Sequence, residues 1–145
     1  MPASPTSLPD FLADLRFRGL LHQCTDEAAL AEHLRTADMI EGGRRAYVGF
    51  DPTADSLTIG NLVGIIALGR WQRAGHTPIV VTGGGTGLIG DPSGKSAERQ
   101  LLTPERVAAN VRSIQKIFGR VMEFSGGANA AVMTDNYDWL GKLSY

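Results

Sequence analysis

The chain has 145 residues, of which 43% are hydrophobic and 20% are charged, so its length and composition predict one globular domain. The formal net charge of -1 provides no basic field that would hold nucleic acid by itself. A single cysteine, Cys24, excludes an intramolecular disulfide. No apolar run is long enough for a membrane span and the N-terminus lacks the features of a signal peptide, so we expect a cytoplasmic protein without membrane contact.

The segment 1–44 is predicted to be helical. Asp10 is suited to cap a first helix that ends at Gly19, and Thr25 is suited to begin a second one. A glycine pair at positions 42 and 43 then breaks the chain. We therefore predict an N-terminal helical segment over residues 1–44.

Residues 45–145 alternate between strand and helix patterns. The runs RRAYVGF, TPIVVTGGG and AAVMTDN predict strands, and the core of the second, Ile79–Val81, is typical of a strand buried on both faces. The helix between the first two strands has an apolar face of Leu62, Ile65, Ile66 and Trp71. A later helix begins at Thr103, and its apolar face consists of Val107, Val111, Ile114 and Phe118. This order predicts a doubly wound α/β fold with two or three parallel strands.

The glycine-rich stretch TGGGTGLIGDPSGKS after the second strand matches two nucleotide-binding patterns in part. Gly85–Gly90 fits G-x-G-x-x-G, but Asp91 follows at once, and no acidic residue ends another strand about 20 residues later. The end of the stretch, Gly94–Ser96, resembles a P-loop, but Ile89 stands where that loop requires glycine. A dinucleotide-binding module and a plain surface turn remain alternatives. A carboxylate at position 91 instead favours a cation, such as a substrate ammonium.

A second unusual stretch, YVGFDPTADSLTIGN, follows the first strand. Asp51–Thr53 forms a turn at the carboxyl end of that strand, and Thr58–Asn61 stands at the entry of the next helix. Hydroxyl groups, backbone amides and the positive helix end converge there, which suits a polyphosphate.

These stretches resemble one family. YVGFDPTADSLTIGNL, GRWQRAGHTPIVVTGGGTGLIGDPSGKSAER, NYDWLG and RGLLHQCTDEAAL are similar to segments of the bacterial tyrosyl-tRNA synthetases, and the resemblance runs from about residue 10 to residue 145. It implies a class I, Rossmann-fold catalytic domain, of which residues 45–145 would be an incomplete first part. The implied reaction is the activation of L-tyrosine by ATP to tyrosyl-adenylate, followed by transfer to tRNA(Tyr). ATP, with Mg²⁺, would be a substrate, and no tightly bound cofactor or metal site is expected.

The resemblance also implies residue roles for the amino acid. Tyr47 matches the tyrosine that hydrogen-bonds the substrate phenol, and Asp91 matches the aspartate that receives the substrate ammonium. Asn136 matches a binding position in the family's NNYDW segment.

For ATP binding and catalysis, the resemblance implies a larger set of residues. Asp51 and Thr53 would line the nucleotide and phosphates, and Gly49 would let a ligand approach the backbone. The implied catalytic residues are Thr53, Thr58, Asn61, Lys95 and Arg99, the last two as basic groups that reach the pyrophosphate, and Gly60 and Asn61 belong to the ATP site.

The chain departs from the family in two respects. The class signature His-Ile-Gly-His is replaced by Thr58-Ile59-Gly60-Asn61, and a threonine hydroxyl cannot carry the charge of an imidazolium. Losing that charge-assisted bond costs roughly 1.5–3 kcal/mol, or about 10- to 150-fold in rate. The sequence also stops at Tyr145, before most of the homodimer interface and the tRNA-binding part of the family. A catalytically inactive truncated fragment is therefore a further alternative.

Overall fold

The computed structural model describes residues 10–37, 40–89 and 103–143, and its centre is a sheet of three parallel strands. The strands are β1 (Arg45–Phe50), β2 (Thr77–Thr82) and β3 (Val132–Asp135), in the order β1-β2-β3. All three lie in the predicted runs, so the parallel sheet is confirmed.

Helices precede, connect and follow these strands. Asp10 caps the first through the amide of Ala13, as predicted, but the second is capped by Asp26 and not by Thr25. The Asp26 carboxylate accepts from the amide three residues ahead, at 2.8 Å, which is the geometry that a cap requires. The helices are α1 (Phe11–Phe17), α2 (Glu27–Arg35), α3 (Ile59–Arg73), α4 (Gly84–Ile89), α5 (Pro104–Phe118) and α6 (Tyr137–Leu140).

The core lies on one face of the sheet. Strand residues Phe50 and Val80 form a single cluster with side chains from both α3 and α5. Its buried members are Phe50, Ile65, Leu68, Val80, Ile114, Phe118, Met122 and Ala131. Both connections cross on that face, as expected when consecutive parallel strands are joined with the same handedness.

The predicted face of α5 is confirmed, because all four of its apolar residues are buried. The predicted face of α3 is partly wrong: Leu62 and Ile66 are 41% and 38% exposed, whereas Leu68 and Gly69 are buried with Ile65. The sequence of α3 is apolar on more than one side, so periodicity alone could not identify the side that contacts the sheet.

The opposite face of the sheet is uncovered within the described ranges. Tyr47, Ile79 and Val132 lie in one row across the three strands, and none of them is buried. The expectation that β2 is buried on both faces is therefore wrong for Ile79 and Val81, which are half-buried, because α3 and α5 share the other side.

The first helix, α1, packs on α3. The ring of Phe11 meets Trp71 edge to face with centroids 4.9 Å apart, and Asp14 pairs with Arg70 at 2.6 Å. None of the helices in the described residues is both long enough and apolar enough to cross a membrane.

Candidate active site

The three strands end side by side at one edge of the sheet. Phe50, Thr82 and Asp135 occupy matching register positions, so the segments that follow them start together. Two backbone hydrogen bonds extend the sheet past these ends, from Gly83 N to Phe50 O at 3.0 Å and from Asn136 N to Thr82 O at 2.9 Å. The carboxyl edge of a parallel sheet is where open α/β folds bind ligands.

Polar side chains from the three strand ends form a chain of hydrogen bonds. The hydroxyl of Thr86 donates to Asp51 Oδ1 at 3.0 Å, and Asn136 Nδ2 donates to that hydroxyl at 3.2 Å. Asp51 and Asn136 are residues that the sequence predicts for the site, whereas Thr86 was missed. A threonine inside a glycine run directly after a strand was the available signal.

The glycine stretch begins as a short helix, α4, and not as the expected turn. Its first two amides are occupied by side chains from the end of β3: Gly84 N donates to Asp135 Oδ1 at 3.0 Å, and Gly85 N donates to Asn136 Oδ1 at 2.7 Å. Glycine is a poor helix former, so these side chains supply caps that the local sequence lacks. Sequence reasoning missed Asp135.

The glycines of α4 leave room for these side chains. A Cβ atom on Gly84 would overlap the carboxylate of Asp135, with its Cγ at 2.7 Å, and one on Gly85 would lie 3.1 Å from Asn136 Oδ1. Gly84 is therefore needed because the Asp135 carboxylate fills the space of a side chain, while a methyl group at Gly85 would require the Asn136 amide to shift slightly.

The entry of α3 is a capping box. Asn61 Oδ1 accepts from the backbone amide of Thr58 at 3.0 Å and from its hydroxyl at 2.8 Å. The Asn61 amide oxygen is thus occupied, while its NH₂ group makes no hydrogen bond within the part of the chain that the structure describes. Thr58 and Gly60 are exposed at the same helix end.

The residues of β1 and its loop that the sequence predicts for the site face solvent. Tyr47 is 73% exposed on the uncovered face of the sheet, two residues before Gly49, where a Cβ atom would meet nothing among the described residues within 4 Å. Thr53 is exposed, and its amide donates to Asp51 O at 2.9 Å.

Several predicted residues lie outside the described ones: Gly90, Asp91, Lys95 and Arg99. Among the residues that are described, no group of three or more His, Cys, Asp or Glu side chains could hold a metal ion.

Comparison with known proteins identifies the family. The model of the tRNA synthetases of class I (W and Y) matches residues 41–145, which are most of the chain and include β1, β2, β3 and the carboxyl edge. The chain belongs to this family.

Individual class I synthetases of this family are similar over most of the chain. The tyrosine–tRNA ligase of Opitutus terrae is 51% identical over 134 residues, which are 92% of this chain and 30% of that protein. The tyrosine–tRNA ligase of Bacillus velezensis is 50% identical over 137 residues, which are 94% of this chain and 31% of that protein. The chain thus spans about a third of the length of these curated relatives.

Solved class I synthetases share the fold. A C-terminally truncated mitochondrial tyrosyl-tRNA synthetase of Aspergillus nidulans superposes with a TM-score of 0.70 at 22% identity, covering 98% of this chain and 41% of that one. The corresponding protein of Coccidioides posadasii gives a TM-score of 0.66 at 27% identity, with 92% and 37% covered. The predicted Rossmann-like α/β fold is confirmed.

Proposed function

We propose that the chain is the first part of the catalytic domain of a cytoplasmic tyrosine–tRNA ligase. Residues 1–44 would be its N-terminal helical segment, and residues 45–145 the beginning of its Rossmann domain. The observation that carries the proposal is identity of about 50% to two tyrosine–tRNA ligases over more than nine tenths of the chain. The complete protein would activate L-tyrosine with ATP, transfer it to tRNA(Tyr) and act as a homodimer.

The uncovered face of the sheet suits the tyrosine side of this site. Tyr47 is a large aromatic residue on a strand, yet most of its side chain is exposed, two residues before Gly49. Its phenol is therefore available to hydrogen-bond the substrate phenol. Asp91 would receive the substrate ammonium and so fix the opposite end of the amino acid.

The loop after β1 and the start of α3 suit ATP. Exposed Asp51 and Thr53 stand beside each other, and Asn61 has an unused NH₂ group at a positive helix end. The tyrosine carboxylate would attack the α-phosphorus in line while pyrophosphate leaves, so the protein would mainly position the reactants and offset phosphate charge. Thr58 and Asn61 would do this from the start of α3, and the resemblance implies that Lys95 and Arg99 reach the pyrophosphate.

The geometry of α4 argues against a dinucleotide at the glycine stretch. In such a fold the pyrophosphate accepts hydrogen bonds from the first amides of the helix. Here the amides of Gly84 and Gly85 already donate to Asp135 and Asn136, and an anion would have to displace a carboxylate. Ligand protection separates the two functions: tyrosinol with ATP should raise the melting temperature of the chain, and NAD should not.

Catalysis is tested in a hybrid, because the relatives are much longer than the chain. This chain replaces the matching 137 residues of the Bacillus velezensis ligase. We expect ATP–pyrophosphate exchange that depends on tyrosine and not on tryptophan, the other amino acid of the family. Tyr47→Phe should weaken tyrosine binding by about 2- to 13-fold, the equivalent of one neutral hydrogen bond. Exchange that requires tryptophan would overturn the proposed substrate.

The chain alone is the control. We expect no pyrophosphate exchange from it, since the site would lack the parts contributed by the remaining two thirds of the relatives. This is the inactive-fragment alternative, restricted to the isolated chain. Tyrosine-dependent exchange by the chain itself would contradict it.

A further inference from the structure

The capping of α4 depends on a residue far from it in sequence. The position before the helix is Gly83, which has no side chain to offer, and the acceptor for the first helical amide comes from Asp135, 51 residues later. The same oxygen, Oδ1, also accepts from the amide of Tyr137 at 2.9 Å. One carboxylate oxygen therefore joins the start of α4 to the start of α6.

We propose that Asp135 is a positioning residue, which holds α4 against the end of β3. By fixing α4, it would help to place the segment that leads from this helix to the tyrosine ammonium site. The second part of this assignment rests on the proposed function, because α4 ends two residues before Asp91. Asp135 touches no substrate in this proposal and acts through the backbone of Gly84.

Two further observations support a specific role for the carboxylate. Gly84 is buried, and its missing side chain leaves the space that Asp135 fills. Gly87 lies in the same helix, but a Cβ atom there would make ordinary contacts with Pro52 at 3.6 Å and Val107 at 3.7 Å. The Asp135 carboxylate therefore excludes a side chain at Gly84 but not at Gly87.

Amide hydrogen exchange of the chain tests the cap. In Asp135→Ala the amides of Gly84 and Tyr137 should exchange about 10- to 150-fold faster, as expected when a hydrogen bond to a charged group is lost. The amide of Ala29, which is capped by Asp26, serves as the distant reference and should not change. Asp135→Asn keeps an oxygen acceptor but loses the charge, so it should retain part of the protection. Unchanged exchange at Gly84 in Asp135→Ala would overturn the proposal.

Titration of the hybrid enzyme with L-tyrosine tests positioning. Asp135→Ala should bind tyrosine at least about tenfold more weakly at a temperature where the variant is folded, and Asp135→Asn should restore the affinity. Faster exchange at Gly84 with unchanged tyrosine affinity would show a purely structural cap and would overturn the positioning role. Absence of tyrosine binding in the otherwise unmodified hybrid enzyme counts against the proposed function and against the positioning role, while the exchange result still decides the cap.

A glycine pair keeps the test decisive if Asp135→Ala does not fold. Gly84→Ala leaves the carboxylate in the sequence but fills its space, so it should reproduce the exchange and affinity changes. Gly87→Ala is the matched control and should leave both unchanged. Equal behaviour of the two variants would overturn the assignment.

Discussion

Asn110 of α5 hydrogen-bonds the loop after β1: its Nδ2 donates to the carbonyl oxygen of Pro52 at 2.9 Å, and Asn110 is 1% exposed. The asparagine lies on the buried side of α5 among apolar residues. A buried amide is costly unless it is paired, so this bond ties the loop that contains Asp51 and Thr53 to α5.

Replacement of Asn110 with alanine should destabilise the chain by about 1–3 kcal/mol, because it removes a buried hydrogen bond and leaves the Pro52 carbonyl without its donor. Urea unfolding followed by circular dichroism measures the change. Gln115→Ala, at an exposed position of the same helix, is the control and should change the free energy of unfolding little. An equal effect of the two substitutions would mean that the bond to Pro52 contributes nothing.

The elements of the fold follow from local sequence, but the contacts of the site do not. Helix α5 has one apolar face at helical spacing, so its buried residues could be predicted, whereas α3 is apolar on several sides and its buried side could not. The bond between Asp135 and Gly84 joins residues 51 apart. Only the pairing of β2 with β3 brings them together, and a sequence pattern of period two or 3.6 carries no information about such a pair.

The departure at Thr58 gives a prediction about the rate. In the hybrid enzyme, Thr58→His should raise the rate constant of adenylate formation by about 10- to 150-fold, because an imidazolium can make a charge-assisted bond to a phosphate. Pre-steady-state kinetics of tyrosyl-adenylate formation measure it. Ser56→His adds the same group at an exposed position of the same loop and should leave the rate unchanged.

Loss of Thr58 should also reduce the stability of the chain. Thr58 donates to Asn61 Oδ1 through its hydroxyl, and loss of an N-cap threonine typically costs about 0.5–2 kcal/mol. Thr58→Ala should therefore lower the free energy of unfolding by a similar amount without raising the rate. If alanine and histidine raised the rate equally, charge at this position would not be the cause.

Asp14 gives a prediction about pH. The hydrogen bond from Arg18 lowers the pKa of Asp14 below its usual 3.8 most strongly, partial burial opposes this, and Arg70 lowers the pKa further. A carboxyl group with a lowered pKa in the folded state contributes stability that is present above pH 3.8 and is lost as the pH falls towards its folded pKa. Asp14→Asn should thus be less stable than the unmodified chain at pH 7, and the difference should shrink below pH 3.8.

The matched control for Asp14 is Asp55→Asn. Asp55 is exposed and makes no ion pair with any residue that the structure describes, and the substitution changes the net charge equally. Thermal unfolding from pH 2.5 to pH 7 compares the variants. A difference between Asp14→Asn and the unmodified chain that stays constant with pH would exclude ionisation of Asp14 as its source.

Substitution of Gly49 distinguishes a ligand contact at this position from a structural requirement for glycine. A Cβ atom there meets no described atom within 4 Å, and alanine in a strand loses less backbone entropy than glycine, so Gly49→Ala should be neutral or stabilising by up to about 1 kcal/mol. If a ligand approaches the backbone at this point, the added methyl group should weaken the binding of tyrosine or ATP while the melting temperature is kept. Gly83→Ala is the contrasting variant, because its Cβ would overlap Asp51 Oδ1 and lie 2.6 Å from Thr86 Oγ1, so it should lower the melting temperature. Unchanged affinity for both ligands in Gly49→Ala would remove Gly49 from the site, since nothing in the described chain itself opposes the methyl group.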